Sequence, residues 1–286
     1  MQFCKYQSAD GVPSVGLIDD ELITPLNLTG SHYQDLTDLL NDNDPLEATR
    51  LLVDPSIAQL PLADVTLLPP IDRQEVWGAG VTYKRSKAAR MEESVGAASF
   101  YDKVYDAPRP ELFFKSMPHR AVGHGMNVRI RNDGKWNVPE PELVLVLNMR
   151  LDLIGFTIGN DMSCRDIEGE NPLYLPQAKT YDQSCAIGPY ITLASKMPPR
   201  QKIGIRMGIL RNGVIAYEGK TSIAQMNRTF EDLIGYLGRD NTFRDGVYLF
   251  TGTGIVPDSD FTLLPGDVVH ISIDGIGTLV NPVVQS

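Results

Sequence analysis

Residues 139–147, PEPELVLVL, read as a β-strand that begins with two glutamates. Side chains two apart on a strand point to the same face, so Glu140 and Glu142 share a face and lie roughly 7 Å apart along the backbone. Val144 and Val146 continue that face, and the three leucines make the other face equally apolar. We therefore expect a strand that is buried on both faces and carries two carboxylates at its N-terminal end.

Two interpretations of these carboxylates stay open. Charges this close repel each other and resist desolvation, which a bound cation relieves. Several oxygen ligands suit Mg²⁺, Mn²⁺ or Ca²⁺. The alternative is a solvated pair of charges at a strand end.

Asp161 supplies a third acid, because it follows the apolar segment 154–159 beside Asn160. If that strand neighbours 143–147, three carboxylates converge and leave coordination positions for water and substrate, as in a catalytic metal site. A turn or a helix cap is the alternative role for Asp161.

Composition excludes some classes of partner. The 286 residues are 42% hydrophobic and 22% charged, with a formal charge of −10, which disfavours nucleic acid and anionic membranes. No apolar run is long enough to cross a bilayer, and the first residues show no secretory h-region. Cys4, Cys164 and Cys185 are widely spaced and odd in number. We expect a cytoplasmic protein with reduced cysteines.

The Pro69–Pro70 pair ends any regular element and marks a junction. Residues 1–68 are predicted to form a small α/β accessory domain, and residues 69–286 a mostly β domain with the metal site. The predicted elements are strands over 2–7, 14–18, 112–115, 143–147, 155–159, 187–192, 203–210, 247–251 and 268–273, a helix around 36–40, a helix over 222–237, and long loops over 92–110 and 168–182.

Other residues are candidates for the site. Lys179 is a possible general base if a metal and apolar walls lie nearby; a solvated surface lysine is the alternative. Lys115 ends an apolar run and needs an acid or an anionic substrate as its partner. We interpret Arg165 and Asp166 as a pair that orients the Asp161 loop.

Two glycine turns, 78–80 and 252–254, bring backbone N–H groups close to a ligand or simply make tight turns. Gly80 is the candidate ligand contact in the first turn. The chain has neither GxGxxG opening a βαβ unit nor GxxxxGK[ST], so we expect no organic cofactor.

Several blocks, in order, resemble the fumarylacetoacetate hydrolase superfamily from about residue 70 to the C-terminus. They are WGAGVTY, RPELFFK, PEPELVLVL, GNDMSCRD, TGTG and PGDVVHISIDGIGTL. The resemblance implies an α+β, mostly β fold: a mixed β-roll with a divalent metal, commonly Mg²⁺. The implied ligands are Glu140, Glu142 and Asp161, and Lys179 is the implied active-site lysine.

The same resemblance implies substrate contacts at Tyr83, at Thr253, and at Glu168, where a glutamine is more usual. It also implies a homo-oligomer, a dimer or a tetramer.

One departure from the family pattern bears on the reaction. Family hydrolases often have NYxxHxxE, whose His and Glu activate the attacking water, whereas this chain has Ser86 and Ala89 at those positions. Hydrolysis of a C–C bond then lacks its general base, but elimination of water needs no water nucleophile. Lys87 and Arg90 lie nearby and are candidates for supplying positive charge.

The resemblance, together with this departure, implies metal-dependent dehydration of a 2-keto-3-deoxy sugar acid, such as 2-keto-3-deoxy-D-arabinonate, to 2-oxoglutarate semialdehyde (2,5-dioxopentanoate). Lys179 is the expected base at C3, and Glu111 or Glu168 the expected acid. Three alternatives remain: a hydrolase of acylpyruvates or fumarylacetoacetate-like diketo acids, a 2-keto acid decarboxylase, and a non-catalytic ligand-binding protein.

Overall fold

The structure is a computed structural model that describes residues 2–84 and 104–285. Most of its regular elements are strands. Its α-helices include α1 (Leu36–Leu40), α2 (Pro45–Leu52), α3 (Arg165–Glu170), α4 (Leu175–Lys179) and α5 (Phe230–Leu237).

The strands, in chain order, are β1 (Gln2–Gln7), β2 (Pro13–Asp19), β3 (Leu22–Pro25), β4 (Leu60–Pro61), β5 (Thr66–Leu68), β6 (Glu75–Gly80), β7 (Glu111–Ser116), β8 (Ala121–Val122), β9 (Val128–Arg129), β10 (Asn137–Val138), β11 (Pro141–Leu147), β12 (Leu153–Asp161), β13 (Ser163–Cys164), β14 (Cys185–Leu193), β15 (Gly204–Arg211), β16 (Val214–Ser222), β17 (Val247–Phe250), β18 (Val268–Ile273) and β19 (Gly277–Val284).

A large mixed sheet lies at the centre of the fold. Its strand order is β4-β3-β2-β1-β14-β12-β11-β17-β6-β7, with β5 paired to β1 and β8 paired to β14. A five-stranded sheet has the order β16-β15-β18-β19-β9, and β10 pairs with β13. Most pairs are antiparallel, but β6 runs parallel to β17.

The strand β11 separates two hydrophobic cores, and all seven of its residues are buried. Its leucines, with Leu143 first, pack in the core shared with β15 and β18 of the five-stranded sheet. Val144 and Val146 pack in the other core, with apolar residues of α1 and α2. The expectation of a strand buried on both faces is confirmed.

The helix predicted over 222–237 is wrong in its first half. β16 continues to Ser222, and the α-helix begins only at Phe230, after the N-cap Thr229. Met226 pairs with Tyr83 in an isolated bridge instead of joining the helix. Its spacing of four residues from Phe230 is typical of a helix, but an apolar residue at that spacing can also pack into the core from an extended segment.

The loop predicted over 168–182 is also wrong, because the segment contains the end of α3, a 3₁₀ turn (Pro172–Tyr174) and α4. Asn171 accepts a hydrogen bond from the N–H of Leu173, and proline occupies the first turns, where its missing N–H costs little. The loop predicted over 92–110 lies largely outside the described residues, as do Ser86, Lys87, Ala89 and Arg90.

The predicted N-terminal strands are present, and they continue the large sheet through β1, which pairs antiparallel with β14. Arg73 adds a second link, because it bonds Asp38 at 2.6 Å and Asp245 at 2.9 Å and also contacts Asp35. The division at residues 68 and 69 stays a prediction.

Within residues 2–84 and 104–285, no helix combines the length and the apolar character that crossing a bilayer requires.

Close packing at Gly159 gives a stability prediction. A Cβ at this position of β12 would lie 2.2 Å from Phe250 Cε1 and 2.6 Å from Val144 Cγ2. We expect Gly159→Ala to lower the free energy of unfolding by about 1–3 kcal/mol, since both neighbours lie in a filled core. Urea unfolding monitored by circular dichroism measures the change.

The matched control is Gly208→Ala in β15, where a Cβ would have no heavy atom within 4 Å. We expect that variant to change the free energy by less than about 0.5 kcal/mol. Equal stability of the two variants would contradict the packing argument.

Candidate active site

The candidate site lies at one edge of the large sheet, where six consecutive strands, β14-β12-β11-β17-β6-β7, begin or end. Because β11 is antiparallel to β12, the start of one lies beside the end of the other: Pro141 pairs with Asn160. The backbone N–H of Asp161 also donates to the carbonyl of Glu140 at 2.9 Å. This pairing brings together acids that are about twenty residues apart in the chain.

The three predicted acids form one cluster. Glu140, Glu142 and Asp161 are at most 3% exposed, and each offers a carboxylate oxygen within 4.8 Å of the others. An all-oxygen donor set of three carboxylates fits a hard divalent cation such as Mg²⁺, which keeps its remaining positions for water or substrate. The convergence expected from the sequence is thus present.

Lys179, at the end of α4, lies directly on this cluster. Its Nζ atom is 2.6 Å from Glu140 Oε2 and 2.8 Å from Asp161 Oδ2, and it also donates to Ser163 Oγ at 2.6 Å. The side chain is 2% exposed, so the alternative of a solvated surface lysine is wrong. An amine held among carboxylates inside the protein is placed to exchange protons with a bound ligand.

Two further cations compensate the acids. Lys115 Nζ lies 2.5 Å from Asp161 Oδ1 and donates to the backbone carbonyls of Met162 and Lys179. Arg165 Nη2 lies 2.6 Å from Glu140 Oε1. Lys115 therefore has the acid partner that one interpretation of the sequence required.

Glu142 differs from its two neighbours. In the part of the chain that the structure describes, its recorded partner is the backbone N–H of Gly252, at 2.6 Å from Oε2. Burial first, and then the charges of Asp161 and Glu140, raise the pKa of Glu142 well above its ordinary value. The protonated form of this carboxyl group is therefore favoured in the metal-free protein.

A small cavity of about 10 Å³, with room for about one water molecule, opens onto the cluster. It is lined by the three acids and by Lys179, Gly80 and Thr253, among others. Gly80 is required for space, because a Cβ there would lie 2.2 Å from Glu111 Oε2. The Glu111 carboxylate therefore lies directly against Gly80, which lines the cavity.

Two other predicted residues are buried near the cavity. Tyr83 packs its ring against Gly254, and its hydroxyl has no hydrogen-bond partner among the described residues. Burial, followed by the charge of Glu142, raises the pKa of Tyr83. Glu168 lies on α3 and is 1% exposed.

The sequence analysis does not predict Arg165 or Ser163 as contacts of the site, whereas the 252–254 turn that it singles out does donate the Gly252 N–H to Glu142. Arg165 contacts Glu140 instead of forming the predicted pair with Asp166, which accepts from backbone N–H groups of Lys135 and Trp136. Positions 161, 163 and 165 alternate, so a strand reading extended by four residues would have put Ser163 and Arg165 on the face of Asp161.

Comparisons with known proteins agree with this geometry. The family profile described as fumarylacetoacetate (FAA) hydrolase C-terminal matches residues 75–284. The chain is 45% identical over 223 residues to 2-dehydro-3-deoxy-D-arabinonate dehydratase of Saccharolobus solfataricus, covering 77% of this chain and 75% of that relative. It is 44% identical over 236 residues to the probable 2-keto-3-deoxyxylonate dehydratase of Haloferax volcanii, covering 82% of this chain and 81% of that relative.

The fold matches a solved structure of 2-keto-3-deoxy-D-arabinonate dehydratase complexed with magnesium and 2,5-dioxopentanoate. The TM-score is 0.87 at 35% identity, covering 100% of this chain and 99% of that chain. The mostly β architecture with mixed sheets is the one expected from the motifs. The chain belongs to the fumarylacetoacetate hydrolase family.

Proposed function

We propose that this protein is a magnesium-dependent hydro-lyase that converts 2-keto-3-deoxy-D-arabinonate to 2,5-dioxopentanoate and water. The observation that carries the proposal is the buried cluster of Glu140, Glu142 and Asp161 with the Lys179 amine on it, beside a small cavity. This arrangement combines ligands for a hard cation with a candidate base.

The names of the two dehydratase relatives support one substrate. D-Arabinose and D-xylose share their configuration at C4, and a 2-keto-3-deoxy acid has no other stereocentre. The arabinonate and xylonate names of those relatives therefore denote the same compound. We infer that this chain acts on it as well.

The metal fits the three carboxylates; when bound there, Mg²⁺ supplies Lewis-acid stabilisation for the negative charge that develops on the keto oxygen. Lys179 in its neutral form removes a proton from C3, and a neighbouring cation favours that neutral form. The ammonium that results stays among Glu140, Asp161 and Ser163, which accept its hydrogen bonds.

Departure of the C4 hydroxyl as water requires a proton. Glu111, whose carboxylate lies beside Gly80, is our proposed donor, and the buried Glu168 is the second candidate. The unsaturated product then tautomerises: C5 loses one carbon-bound proton and its hydroxyl proton, C3 and C4 each gain a proton, and the C5 alcohol becomes the aldehyde of 2,5-dioxopentanoate.

The remaining predicted residues are proposed as substrate contacts. Thr253 and Gly80 line the cavity, and the buried Tyr83 hydroxyl is close enough to Glu142 for the charge of that acid to raise its pKa. For Lys115 we propose an indirect role, in which it holds the metal ligand Asp161 in place.

We further propose a cytoplasmic homo-oligomer, a dimer or a tetramer, in which residues 1–68 form an accessory domain. The three cysteines are free and buried, as a reducing compartment favours. Val214 and Ile215 are 70% and 58% exposed at the start of β16, an apolar surface that a second subunit would cover.

The proposed reaction has a direct test. We expect purified protein with Mg²⁺ to convert 2-keto-3-deoxy-D-arabinonate to 2,5-dioxopentanoate, and Lys179→Met to lose about 10²–10⁴-fold in turnover while still binding Mn²⁺. A coupled dehydrogenase assay measures the rate of aldehyde formation. An acylpyruvate and the L isomer serve as comparison substrates, and hydrolysis of the acylpyruvate without dehydration would contradict the proposal.

Removal of the Glu142 carboxylate is expected to increase stability and to abolish metal binding. The raised pKa of Glu142 means that the folded state binds its proton more tightly than the unfolded state does. The stability this gives is present below the unfolded pKa and is lost as the pH rises through the folded pKa. We therefore expect metal-free Glu142→Gln to melt about 2–5 °C above metal-free wild type at neutral pH, and to bind no Mn²⁺.

Glu47→Gln, at an exposed position of α2, is the control for that experiment, with unchanged melting and unchanged metal binding expected. A Glu142→Gln protein that binds Mn²⁺ as wild type does would remove Glu142 from the metal site.

Metal affinity should depend on pH. Because the Glu142 carboxyl is protonated in the metal-free protein, ligation displaces that proton. We expect the dissociation constant for Mn²⁺ to rise by up to about tenfold for each pH unit below the raised pKa, with proton release upon binding. Calorimetric titration in buffers of different ionisation enthalpy measures both quantities. Binding without proton release would contradict the prediction.

A further inference from the structure

The peptide unit between Thr251 and Gly252 lies between a metal ligand and a buried hydroxyl. Its N–H group, from Gly252, donates to Glu142 Oε2 at 2.6 Å. Its carbonyl, from Thr251, accepts from Thr82 Oγ1 at 2.6 Å. Both hydrogen bonds are buried, so each is made in a surrounding of low dielectric.

We propose that Thr82 is a positioning residue for the metal ligand Glu142, acting through this peptide unit. The inference rests on the proposed metal site. Hydrogen bonds in a chain polarise one another, so a hydroxyl donating to the carbonyl makes the N–H on the same peptide a stronger donor. The hydroxyl also fixes the plane of the peptide, and with it the direction in which the N–H points at Glu142.

The packing around Gly252 shows why that peptide needs a specific partner. Gly252 has φ +91°, in the region that favours glycine, and a Cβ there would lie 2.1 Å from Thr82 Oγ1. Because the two segments approach so closely, the Thr82 hydroxyl is the group that contacts the Thr251–Gly252 peptide. Thr251 is held from its other side, since its N–H and hydroxyl donate to the Leu143 carbonyl at 3.1 and 2.8 Å.

The position of Thr82 is itself strongly determined. The preceding residue, Val81, has φ +53°, which is uncommon for a β-branched side chain and persists only where neighbouring contacts enforce it. The contacts that follow do so: the Thr82 carbonyl accepts from Asn227 N–H at 2.8 Å, and Tyr83 pairs with Met226. The left-handed turn at Val81 directs the chain from the end of β6 toward Thr251.

The consequence for the site follows from the partners of the three acids. Glu140 and Asp161 are oriented by charged side chains, whereas the recorded partner of Glu142 in the described chain is the Gly252 N–H. A threonine hydroxyl thus orients a metal ligand through one intervening peptide unit. Groups that fix the orientation of metal ligands by hydrogen bonds typically contribute about 10-fold to 100-fold to metal affinity.

The test compares metal binding by metal-free variants. We expect Thr82→Ala to weaken Mn²⁺ binding about 10-fold to 100-fold, measured by electron paramagnetic resonance of free Mn²⁺, and Thr82→Ser, which keeps the hydroxyl, to bind within about threefold of wild type. Thr49→Ala is the matched control: its buried hydroxyl also donates to a backbone carbonyl, that of Leu46 at 2.7 Å, but in α2. We expect that variant to lose stability and to keep its metal affinity.

Circular dichroism establishes that each variant is folded, and Thr82→Cys, with a weakly donating thiol, replaces Thr82→Ala if that protein unfolds. Metal affinity within about twofold of wild type in the folded Thr82→Ala or Thr82→Cys protein would overturn the inference while leaving the metal site intact. Equal losses in Thr82→Ser and Thr82→Ala would overturn the role of the hydroxyl. Absence of Mn²⁺ binding by wild type would overturn the metal site, and the inference with it.

Discussion

Mutual repulsion among three buried carboxylates is the constraint on which the rest of the structure depends. Glu140, Glu142 and Asp161 would each resist burial alone, and together they resist it more. Three cationic side chains form ion pairs with two of these acids, Glu140 and Asp161. The third acid, Glu142, accepts a hydrogen bond from a backbone N–H. Burial raises the pKa of Glu142, the acid whose partner in the described chain is a backbone N–H.

Much of this site could be predicted from the sequence, because strand periodicity alone puts Glu140 and Glu142 on one face and an apolar segment leads directly to Asp161. What periodicity cannot give is which strands are neighbours. The pairing of β11 with β12, and the position of Lys179 on a short helix, depend on tertiary packing that no local pattern encodes. Family resemblance supplied that information where local physics could not.

The errors have the same origin. Met226 has helical spacing with Phe230, yet it is extended and pairs with Tyr83, which follows β6 in the chain. Arg165 was assigned to its neighbour in sequence, Asp166, whereas it lies on Glu140. In both cases the chemical character of the side chain was interpreted correctly, as buried and apolar or as the partner of an acid. The partner itself was set by a contact between residues far apart in the sequence.

The parallel pairing of β6 with β17 brings two tasks to one place in the sheet. Because the two strands run in the same direction, Gly80 at the end of β6 and Thr253 after β17 emerge side by side as walls of the cavity. The same two stretches carry Thr82 and Gly252, whose hydrogen bonds lead to Glu142. A substitution that reshapes this wall therefore also disturbs chelation, so substrate choice and metal affinity are expected to evolve together.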